Sequence, residues 1–512
     1  MDGAVTLMVT ADAVLVGVDV GTTNLKAVAI RPTGRVEAVA RRATVIRRPG
    51  SGASEFDLDA LDRNLIEVLS ELAERLRAGG IDPAAVAAIG IDSFGESFVG
   101  LDGDGRRMTP CPTWFDRRTR NLRADWGIPA RDWFDITGMV DDDIYTLYRL
   151  AWWRDAEPER FAAVRSWLMV ADYVTLRLTG RAVSSPSLAA RSGLADRRTG
   201  AWSADMLAAL GLAADRLPAL LPSATVAAGL SPDAARATGF RTGTPVANAG
   251  HDHPCAGLGC GLVDPGRMID STGTAEALKT VVSTPLDYAA VGDGAYDCYP
   301  HVIEARFLLS GHIPASGGFL DWLVALLSGP NPSADAAPAL WQAAAAAPPG
   351  AAGVRVAPFL EGTGAPWNRR DARADLSALS AGADAGSVLR AGVEGLATWL
   401  AVNLERFAAI TGLRPEELTV TGGGARNALA NRIKAALLAR PLAIPGVEEA
   451  AGAGAGLVAG LAAGVIDDPA DLASLPDVDW RRVPVDRELA EAYRRLLPGL
   501  RAHLAAAGEG HR

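Results

Sequence analysis

Cysteine is scarce in this chain, and the few cysteines follow no framework. Among 512 residues there are four, with no C-x-x-C pair. Disulfide scaffolds and cysteine-based zinc sites need closely or regularly spaced thiols. We therefore expect reduced structural thiols at Cys111, Cys255, Cys260 and Cys298.

Basic runs and membrane-spanning apolar runs are also missing. The formal net charge is −10 and no segment is rich in lysine and arginine, which argues against nucleic-acid and anionic-membrane partners. The longest apolar run, AGAGAGLVAGLAAGVI, is too short and too rich in glycine to cross a bilayer. The N-terminal MDGAVTLMVTADAVLVGVDV has acids and no basic start, unlike a signal peptide. We expect a small or neutral substrate and a cytoplasmic location.

A P-loop is absent too, because G-x-x-x-x-G-K-[ST] does not occur. The glycine-rich VTGGGARNALAN follows a strand pattern and precedes a helix pattern, but Asn427 stands where a dinucleotide fingerprint needs glycine or alanine. GAGAGLVAG does fit that spacing, although GVEEA separates it from the preceding strand pattern. Closely packed helix glycines explain it better.

The chain does have length and a regular alternation of strand and helix patterns. At 512 residues it exceeds what one hydrophobic core supports, so we expect two domains with a cleft between them. VLVGVDV and LKAVAI predict strands joined by a turn, and FDLDALDRNLIEVLSELAERLRAGG predicts an amphipathic helix ending at Gly79. A strand in VAAIGIDSFG and helices in DIYTLYRLAWWRD and SWLMVADYVTLRLTG continue this α/β organisation.

The turn in DVGTTNLK has the residue types that bind phosphate. Gly21 permits close backbone approach, Thr22 and Thr23 add hydroxyl donors, Lys26 adds positive charge, and Asp19 suits a magnesium ion held through water. An ordinary hairpin with a solvated lysine explains the pattern equally well.

A second hairpin pattern occurs in GRMIDSTGTAEALKTV. Here Asp270 precedes Gly273 and Thr274, and Lys279 follows, as Asp19 and Lys26 flank the first turn. The order suggests a diverged duplication of one strand-turn-strand unit.

The segment NAGHDHPCAGLG places an acid between two histidines. In an extended chain, His251 and His253 would share one face and Asp252 would point to the other, which disfavours a common metal ion. The remaining histidines lack ligand spacing to this pair. Asp252 is the better candidate for a base that orients an attacking hydroxyl in phosphoryl transfer, and an Asx-type loop cap is the structural alternative.

In combination, these segments resemble the FGGY family of carbohydrate kinases, which belongs to the actin, hexokinase and heat-shock chaperone superfamily of ATPases. The resemblance covers nearly the whole chain. VGVDVGTTNLKAV is similar to the first phosphate motif, IGIDSFGESFVGLDGDGRRMTPCPTWFDRRT to the sugar-contacting strand and loop, and NAGHDHPCAGLGCGLVDPGRMIDSTGTAEAL to the catalytic and second phosphate segment. FLEGTGAPWNRRDARADLSALS resembles the G-x-x-x-P-x-W and D-x-x-A-R signature, and VTGGGARNALANRIKAALLARPL the adenosine segment.

The resemblance implies two ribonuclease H-like, actin-like ATPase domains around a central cleft. The N-terminal kinase domain, residues 12–262, would bind sugar and phosphate, and the C-terminal domain, residues 263–505, would bind ATP. It implies that Asp252 is the catalytic base and that Asp19 is the acid associated with Mg²⁺. The ATP and phosphate contacts would be Gly21, Thr22, Thr23, Lys26, Gly273, Thr274, Gly423, Gly424 and Ala425. The substrate contacts would be Glu96, Trp114, Asp116, Asp252 and His253, with a core role as the alternative for Trp114.

The substrate expected from the resemblance is a small sugar or polyol. SFGES lacks the Met-His pair typical of xylulose kinases and the Arg-Glu pair of glycerol kinases, whereas WFDRR is similar to the W-x-D-x-R run of ketose kinases. A pentulose such as xylulose or ribulose is therefore favoured, with a glycerol- or erythritol-type polyol as the alternative. A non-sugar actin-like ATPase and a metal-dependent hydrolase are the rival functions, and a homodimer is left open as the assembly.

Overall fold

A computed structural model describes residues 12–510 of the chain, except 51, 120, 121, 123–125, 293 and 294. Residues 1–11, which include most of the segment compared with a signal peptide, lie outside this range. Within it, none of the helices combines the length and apolar character needed to cross a membrane. All four cysteines are buried and unpaired with one another, as expected.

The first large sheet has six strands, in the spatial order β14-β15-β6-β1-β2-β3. Elements are numbered along the chain, and the strands of this sheet are β1 (Val14–Val20), β2 (Asn24–Ile30), β3 (Val36–Ala43), β6 (Val86–Ser93), β14 (Val226–Gly229) and β15 (Pro245–His251). β1 pairs antiparallel with β2 and parallel with β6, which pairs parallel with β15. The carboxyl ends of β1, β6 and β15 therefore meet at one edge.

The second large sheet has seven strands, in the order β18-β19-β17-β16-β22-β23-β24. Its strands are β16 (Met268–Thr272), β17 (Glu276–Val282), β18 (Asp297–Pro300), β19 (Phe307–Ile313), β22 (Leu418–Thr421), β23 (Leu442–Pro445) and β24 (Trp480–Val483). An antiparallel hairpin, β16 and β17, again has a parallel strand, β22, on its other side. The two sheets share one core arrangement, and the predicted boundary at residues 262 and 263 falls between them.

Helices and small sheets surround the two large sheets. The helices are α1 (Leu58–Ala78), α2 (Ala130–Thr137), α3 (Thr146–Ala156), α4 (Pro158–Ala163), α5 (Val170–Thr179), α6 (Pro186–Ala190), α7 (Ala204–Leu210), α8 (Pro232–Thr238), α9 (Asp252–Leu258), α10 (Gly317–Ser328), α11 (Ala336–Ala346), α12 (Ala385–Thr411), α13 (Ala428–Leu438), α14 (Ala450–Ala462) and α15 (Arg487–Glu509). The minor strands are β4 (Ile46–Gly50), β5 (Ala53–Phe56), β7 (Phe98–Leu101), β8 (Cys111–Pro112), β9 (Ser166–Met169), β10 (Val183–Ser184), β11 (Ala195–Asp196), β12 (Ala201–Trp202), β13 (Ala219–Leu220), β20 (Arg355–Ala357) and β21 (Asp375–Ser377).

The helix predicted to end at Gly79 is α1. Asp57 caps it by accepting from the backbone N–H groups of Asp59 and Ala60, and Gly79 follows its last residue. One other helix prediction was partly wrong, because in SWLMVADYVTLRLTG the first four residues form β9. Their side chains pack in an antiparallel pair with β7, and this tertiary pairing overrides the helix pattern.

Glycines allow α14 to lie directly on the first sheet. A Cβ on Gly17 of β1 would be 1.7 Å from the carbonyl oxygen of Gly452, and one on Gly90 of β6 would be 1.9 Å from that of Ala455. A Cβ on Gly454 would be 1.8 Å from the carbonyl oxygen of Cys255 in α9. The glycines of GAGAGLVAG are thus packing residues, as predicted, and α14 carries the chain from the second sheet onto the first.

Candidate active site

Three aspartates lie at the shared edge of the first sheet. Asp19 is the sixth residue of β1 and lies beside Asp92 of β6 in the parallel register. Asp92 also lies opposite Gly250 of β15, two residues before Asp252 begins α9. The turn after β1 and the GHDH segment, far apart in sequence, are therefore brought to one place.

Asp92 was missed by the sequence analysis. Its side chain is fully buried, and among the described residues neither carboxylate oxygen accepts a hydrogen bond from an N–H or O–H group, while the thiol of Cys255 interacts with it. Its pKa is raised well above the usual value, first by burial and then by the negative charges of Asp19 and Asp252. A usable signal was present, since Asp92 ends the strand pattern VAAIGID just as Asp19 ends VLVGVD.

Asp19 shares a partly buried lysine with an acid from the far end of the chain. Lys26 Nζ lies 3.3 Å from Asp19 Oδ2 and 2.7 Å from Oε2 of Glu449, which precedes α14. Burial raises the pKa of Asp19 although Lys26 opposes the shift. The predicted phosphate turn is thus anchored at both of its ends, and Lys26 is not a solvated lysine.

Asp252 begins a helix, so the strand alternation predicted through GHDH was wrong. β15 ends at His251, and this change of direction brings the neighbouring side chains together. His251 Nε2 lies 3.0 Å from Asp252 Oδ1, in an orientation that makes no hydrogen bond, while its Nδ1 is 3.0 Å from the hydroxyl of Tyr299. The rings of His251 and His253 are 4.9 Å apart.

The ionisation of this segment differs from that of exposed side chains. The pKa of Asp252 is raised to about 7, first by burial and then by the charge of Asp19. It therefore lies well above the pKa of a free aspartate. Burial lowers the pKa values of His251 and His253 well below the usual range, which keeps both neutral. In the described part of the chain, no three histidine, cysteine or acidic side chains converge as a metal-binding group.

Lys279 faces Asp252 from the second sheet. It is 2% exposed in β17, and burial lowers its pKa to about 8, while the carboxylate of Asp252 opposes that shift. The charge of Asp19 raises the pKa of Asp252, whereas the ammonium of Lys279 lowers it. The sequence pattern placed Lys279 with Asp270 instead.

Both hairpins predicted from the sequence are present, but the register in which their strands pair differs. Asp19 lies opposite Lys26, whereas Asp270 lies opposite Leu278, so Lys279 points to the other face of β17. The partner of Asp270 is Lys434 of α13, with Nζ 2.6 Å from Asp270 Oδ2 and 3.0 Å from Glu276 Oε1. This buried cluster connects α13 to both strands of the second hairpin.

The second predicted phosphate loop touches two other turns. The carbonyl of Gly273 accepts from Gly317 N–H over 3.0 Å, and that of Thr274 accepts from Ser316 N–H over 2.8 Å, at the start of α10. A Cβ on Gly424 would be 2.5 Å from Thr272 Cγ2. The turn expected to contact adenosine, which includes Gly423 and Ala425, therefore lies beside the loop expected to contact phosphate.

The sugar-side residues occupy different environments. Glu96 is buried and pairs with Arg191, and Trp114 is 38% exposed and donates its indole N–H to Thr22 Oγ1 over 3.0 Å. That exposure contradicts the core alternative for Trp114. Both oxygens of Asp116 are engaged, by the guanidinium of Arg118 and by backbone N–H groups, so Asp116 fixes the loop that carries Trp114.

Comparison with known proteins shows which family models, sequences and structures are similar to this chain. A model of the FGGY carbohydrate kinase N-terminal domain matches residues 14–259, and one of the C-terminal domain matches residues 270–463. An L-fuculokinase of Salmonella typhi is 28% identical, covering 92% of this chain and 96% of its own, and a xylulose kinase of Escherichia coli (strain K12) is 28% identical, covering 80% and 82%. The crystal structure of a xylulose kinase from Rhodospirillum rubrum superposes with a TM-score of 0.85 at 26% identity, covering 96% of this chain and 98% of that one.

Proposed function

The chain belongs to the FGGY family of carbohydrate kinases, two-domain enzymes of the actin-like ATPase fold that use ATP as phosphoryl donor, and on that premise we propose its acceptor and its base. The acceptor is a hydroxyl of a small sugar, a pentulose such as xylulose or ribulose, and the base is Asp252. The observation that carries the proposal is the position of Asp252, which begins α9 where β15 ends, at the edge of the first sheet that also holds Asp19 and Asp92. Glycerol- or erythritol-type polyols are the alternative acceptors.

Asp252 removes the proton of the attacking hydroxyl. In a loose phosphoryl-transfer transition state, this transfer comes late, as the new O–P bond forms and the bond to ADP breaks. A carboxyl with a pKa of about 7 is a better proton acceptor than a free aspartate and is still half ionised at neutral pH. Lys279 favours the ionised form of Asp252. The proton leaves Asp252 for solvent after product release.

The backbone N–H groups and hydroxyls of the two hairpin turns are assigned to the phosphates of ATP. Thr22, Thr23 and Thr274 supply donors of the kind that phosphate oxygens need, and Gly273 permits close approach of the backbone. Lys26 lies partly buried in the first hairpin. The turn at residues 423–425 is assigned to the adenosine side, because it adjoins the second phosphate loop.

Asp19 and Asp92 suit an Mg²⁺ ion held through water. Both are buried, and among the described residues the oxygens of Asp92 accept no hydrogen bond from an N–H or O–H group. Magnesium keeps several waters and takes few carboxylates, which matches a site with these two side chains. When bound, the ion neutralises charge that develops on the transferred phosphoryl group.

The test is an ADP-release assay on the purified chain with pentuloses, hexuloses and polyols. ADP production that depends on a pentulose supports the proposal. A preference for glycerol or erythritol would show that the enzyme is a kinase whose substrate is a polyol. ADP release that no sugar or polyol stimulates contradicts the proposal and favours an ATPase without a sugar acceptor.

A further inference from the structure

The side chain of Arg191 links two carboxylates, that of Glu96, which follows β6 of the first sheet, and that of Asp297, in β18 of the second sheet. Arg191, directly after α6, donates Nε to Glu96 Oε1 over 2.6 Å, and its Nη2 contacts the same oxygen. Its Nη1 lies 3.4 Å from Oδ2 of Asp297, the first residue of β18. The three side chains are only 7 to 18% exposed.

Two tyrosine rings cover the guanidinium and extend the contacts to the proposed base. Arg191 Cζ lies 5.1 Å from the ring centre of Tyr145 and 5.6 Å from that of Tyr299. The hydroxyl of Tyr299 is 3.0 Å from His251 Nδ1, and His251 contacts Asp252. Arg191 is therefore part of the surroundings of Asp252.

Glu96 is held in an unusual backbone conformation. Its φ of 67° is in the left-handed region, which is unfavourable for a residue with a side chain. Such a conformation persists where the surroundings fix it. At the preceding residue, a Cβ on Gly95 would be 2.6 Å from Arg191 Cβ, so Arg191 fills the space that a side chain at position 95 would need.

One oxygen of Glu96 is left available. Oε1 accepts from Arg191, whereas Oε2 has no hydrogen-bond partner among the residues that the structure describes. A carboxylate oxygen accepts hydrogen bonds and does not donate them, so it selects donors such as hydroxyl groups. Through the contacts of Arg191 described above, Glu96 is connected to the surroundings of Asp252, the proposed base.

Among the residues that the structure describes, two cations near Glu96 and Asp252 are already engaged by acids. Arg191 is shared by two carboxylates, and Lys279 faces Asp252. A further buried guanidinium, that of Arg149, contacts the carbonyl of Trp114 and lies among acids, while its Nε and Nη1 have no hydrogen-bond partner among the described residues. Those acids are Glu96, Asp116, Asp142 and Asp143.

Resting on the proposed sugar kinase function, we propose that Arg191 is a positioning residue that sets the substrate class. It holds Glu96 so that Oε2 accepts a hydroxyl of an uncharged polyhydroxylated sugar, and its pairing with Glu96 and Asp297 withdraws its guanidinium from a sugar acid. A carboxylate on the substrate would meet two fixed carboxylates whose shared guanidinium is already engaged.

The experiment compares Arg191→Met and Arg191→Lys with wild type on the best neutral sugar and on gluconate. Losing a charged hydrogen bond should raise the KM for the neutral sugar about 10- to 100-fold in Arg191→Met, with kcat and the KM for ATP within about three-fold. Arg191→Lys should recover part of the loss. In wild type, kcat/KM for gluconate should be at least about 100-fold below that for the neutral sugar, because like charges are juxtaposed.

The matched control is Arg160→Met. Arg160 also pairs with a glutamate, Glu157, at 3.0 Å and lies over an aromatic ring, that of Trp153, but at the surface. All kinetic constants should be unchanged there. If Arg191→Met does not fold, Gly95→Ala displaces the same side chain and should raise the sugar KM, with Gly103→Ala, where the nearest atom is 4.0 Å away, as its control.

The outcomes separate the two proposals. If wild type phosphorylates no neutral sugar, polyol or sugar acid, the proposed function fails. If it phosphorylates a neutral sugar and gluconate equally well, the kinase stands and the assigned substrate class is wrong. An unchanged sugar KM in Arg191→Met, or a parallel loss of kcat, both KM values and thermal stability, overturns the positioning role.

Discussion

The indole N–H of Trp114 donates to the hydroxyl of Thr22, with 3.0 Å between the two atoms. The loop assigned to the sugar and the turn assigned to the phosphates are therefore in direct contact. Asp116 fixes the loop from one side, and Arg149 contacts the carbonyl of Trp114 from the other.

Replacing Trp114 with phenylalanine should weaken sugar use. The aromatic face remains, but the bond to Thr22 is lost, at a cost of about 1 kcal/mol or roughly five-fold. We expect the KM for sugar to rise by about that factor in steady-state assays, together with a change in the KM for ATP. Trp322→Phe, at an exposed tryptophan on α10, should change neither. Equal KM values in the two variants would show that the hydrogen bond between Trp114 and Thr22 does not affect sugar use.

The pH dependence of activity should reflect the raised pKa of Asp252. Only the ionised carboxylate accepts a proton, so kcat/KM for the sugar should fall as the pH drops through about 7, instead of near the ~3.9 of a free aspartate. A profile that stays flat down to pH 5 would contradict Asp252 as a buried base.

Lys279 should control where that loss of activity occurs. Its ammonium favours the ionised form of Asp252, so Lys279→Met should raise the pKa of Asp252 and move the acid limb to higher pH. Lys279→Arg, which keeps the positive charge, should leave the limb close to its wild-type position. A limb that moves to lower pH in Lys279→Met would show that this lysine does not act on Asp252.

Asp19 should affect metal-dependent binding of the nucleotide. In Asp19→Ala, we expect calorimetry to show that Mg²⁺ no longer strengthens ADP binding as it does in wild type, because one of two buried carboxylates near the ion is gone. Glu37→Ala removes an acid from β3 that pairs with Arg31 and Arg35, and it is the control. An unchanged Mg²⁺ effect in Asp19→Ala would remove Asp19 from the metal site.

The cluster around Lys434 should be important for stability. Lys434→Met leaves Asp270 and Glu276 buried without their cation, and breaking such a pair costs about 3–5 kcal/mol. Arg432→Met, two residues earlier on α13, breaks an exposed pair with Asp486 and should cost about 0–1 kcal/mol. Urea unfolding of both variants measures the difference. Similar losses would contradict the structural weight given to this cluster.

Local patterns predicted much of the framework. The apolar periodicity of FDLDALDRNLIEVLSELAERLRAGG predicted α1 and its end at Gly79, and the spacing of glycines in GAGAGLVAG predicted their close packing. The location of the proposed base depended on similarity to a family, because an aspartate in a glycine-rich segment is by itself equally typical of a loop cap.

Contacts between distant segments could not be predicted in the same way. Arg191 and Glu96 are 95 residues apart, and Lys434 and Asp270 are 164 apart. Neither pairing leaves a periodic signal in the sequence, since tertiary packing alone brings the partners together. The alternation assumed at Asp252 failed for a local reason, because β15 ends one residue earlier and the chain turns into α9.

The most direct test of the central claim is the Asp252→Asn variant. Asparagine keeps the size of the side chain but cannot accept the proton. We expect sugar-dependent ADP release to fall about 10²- to 10⁴-fold, the range for loss of a general base, while ADP affinity measured by calorimetry stays within about three-fold of wild type. A variant that phosphorylates the sugar at the wild-type rate would contradict the assignment of Asp252 as the base.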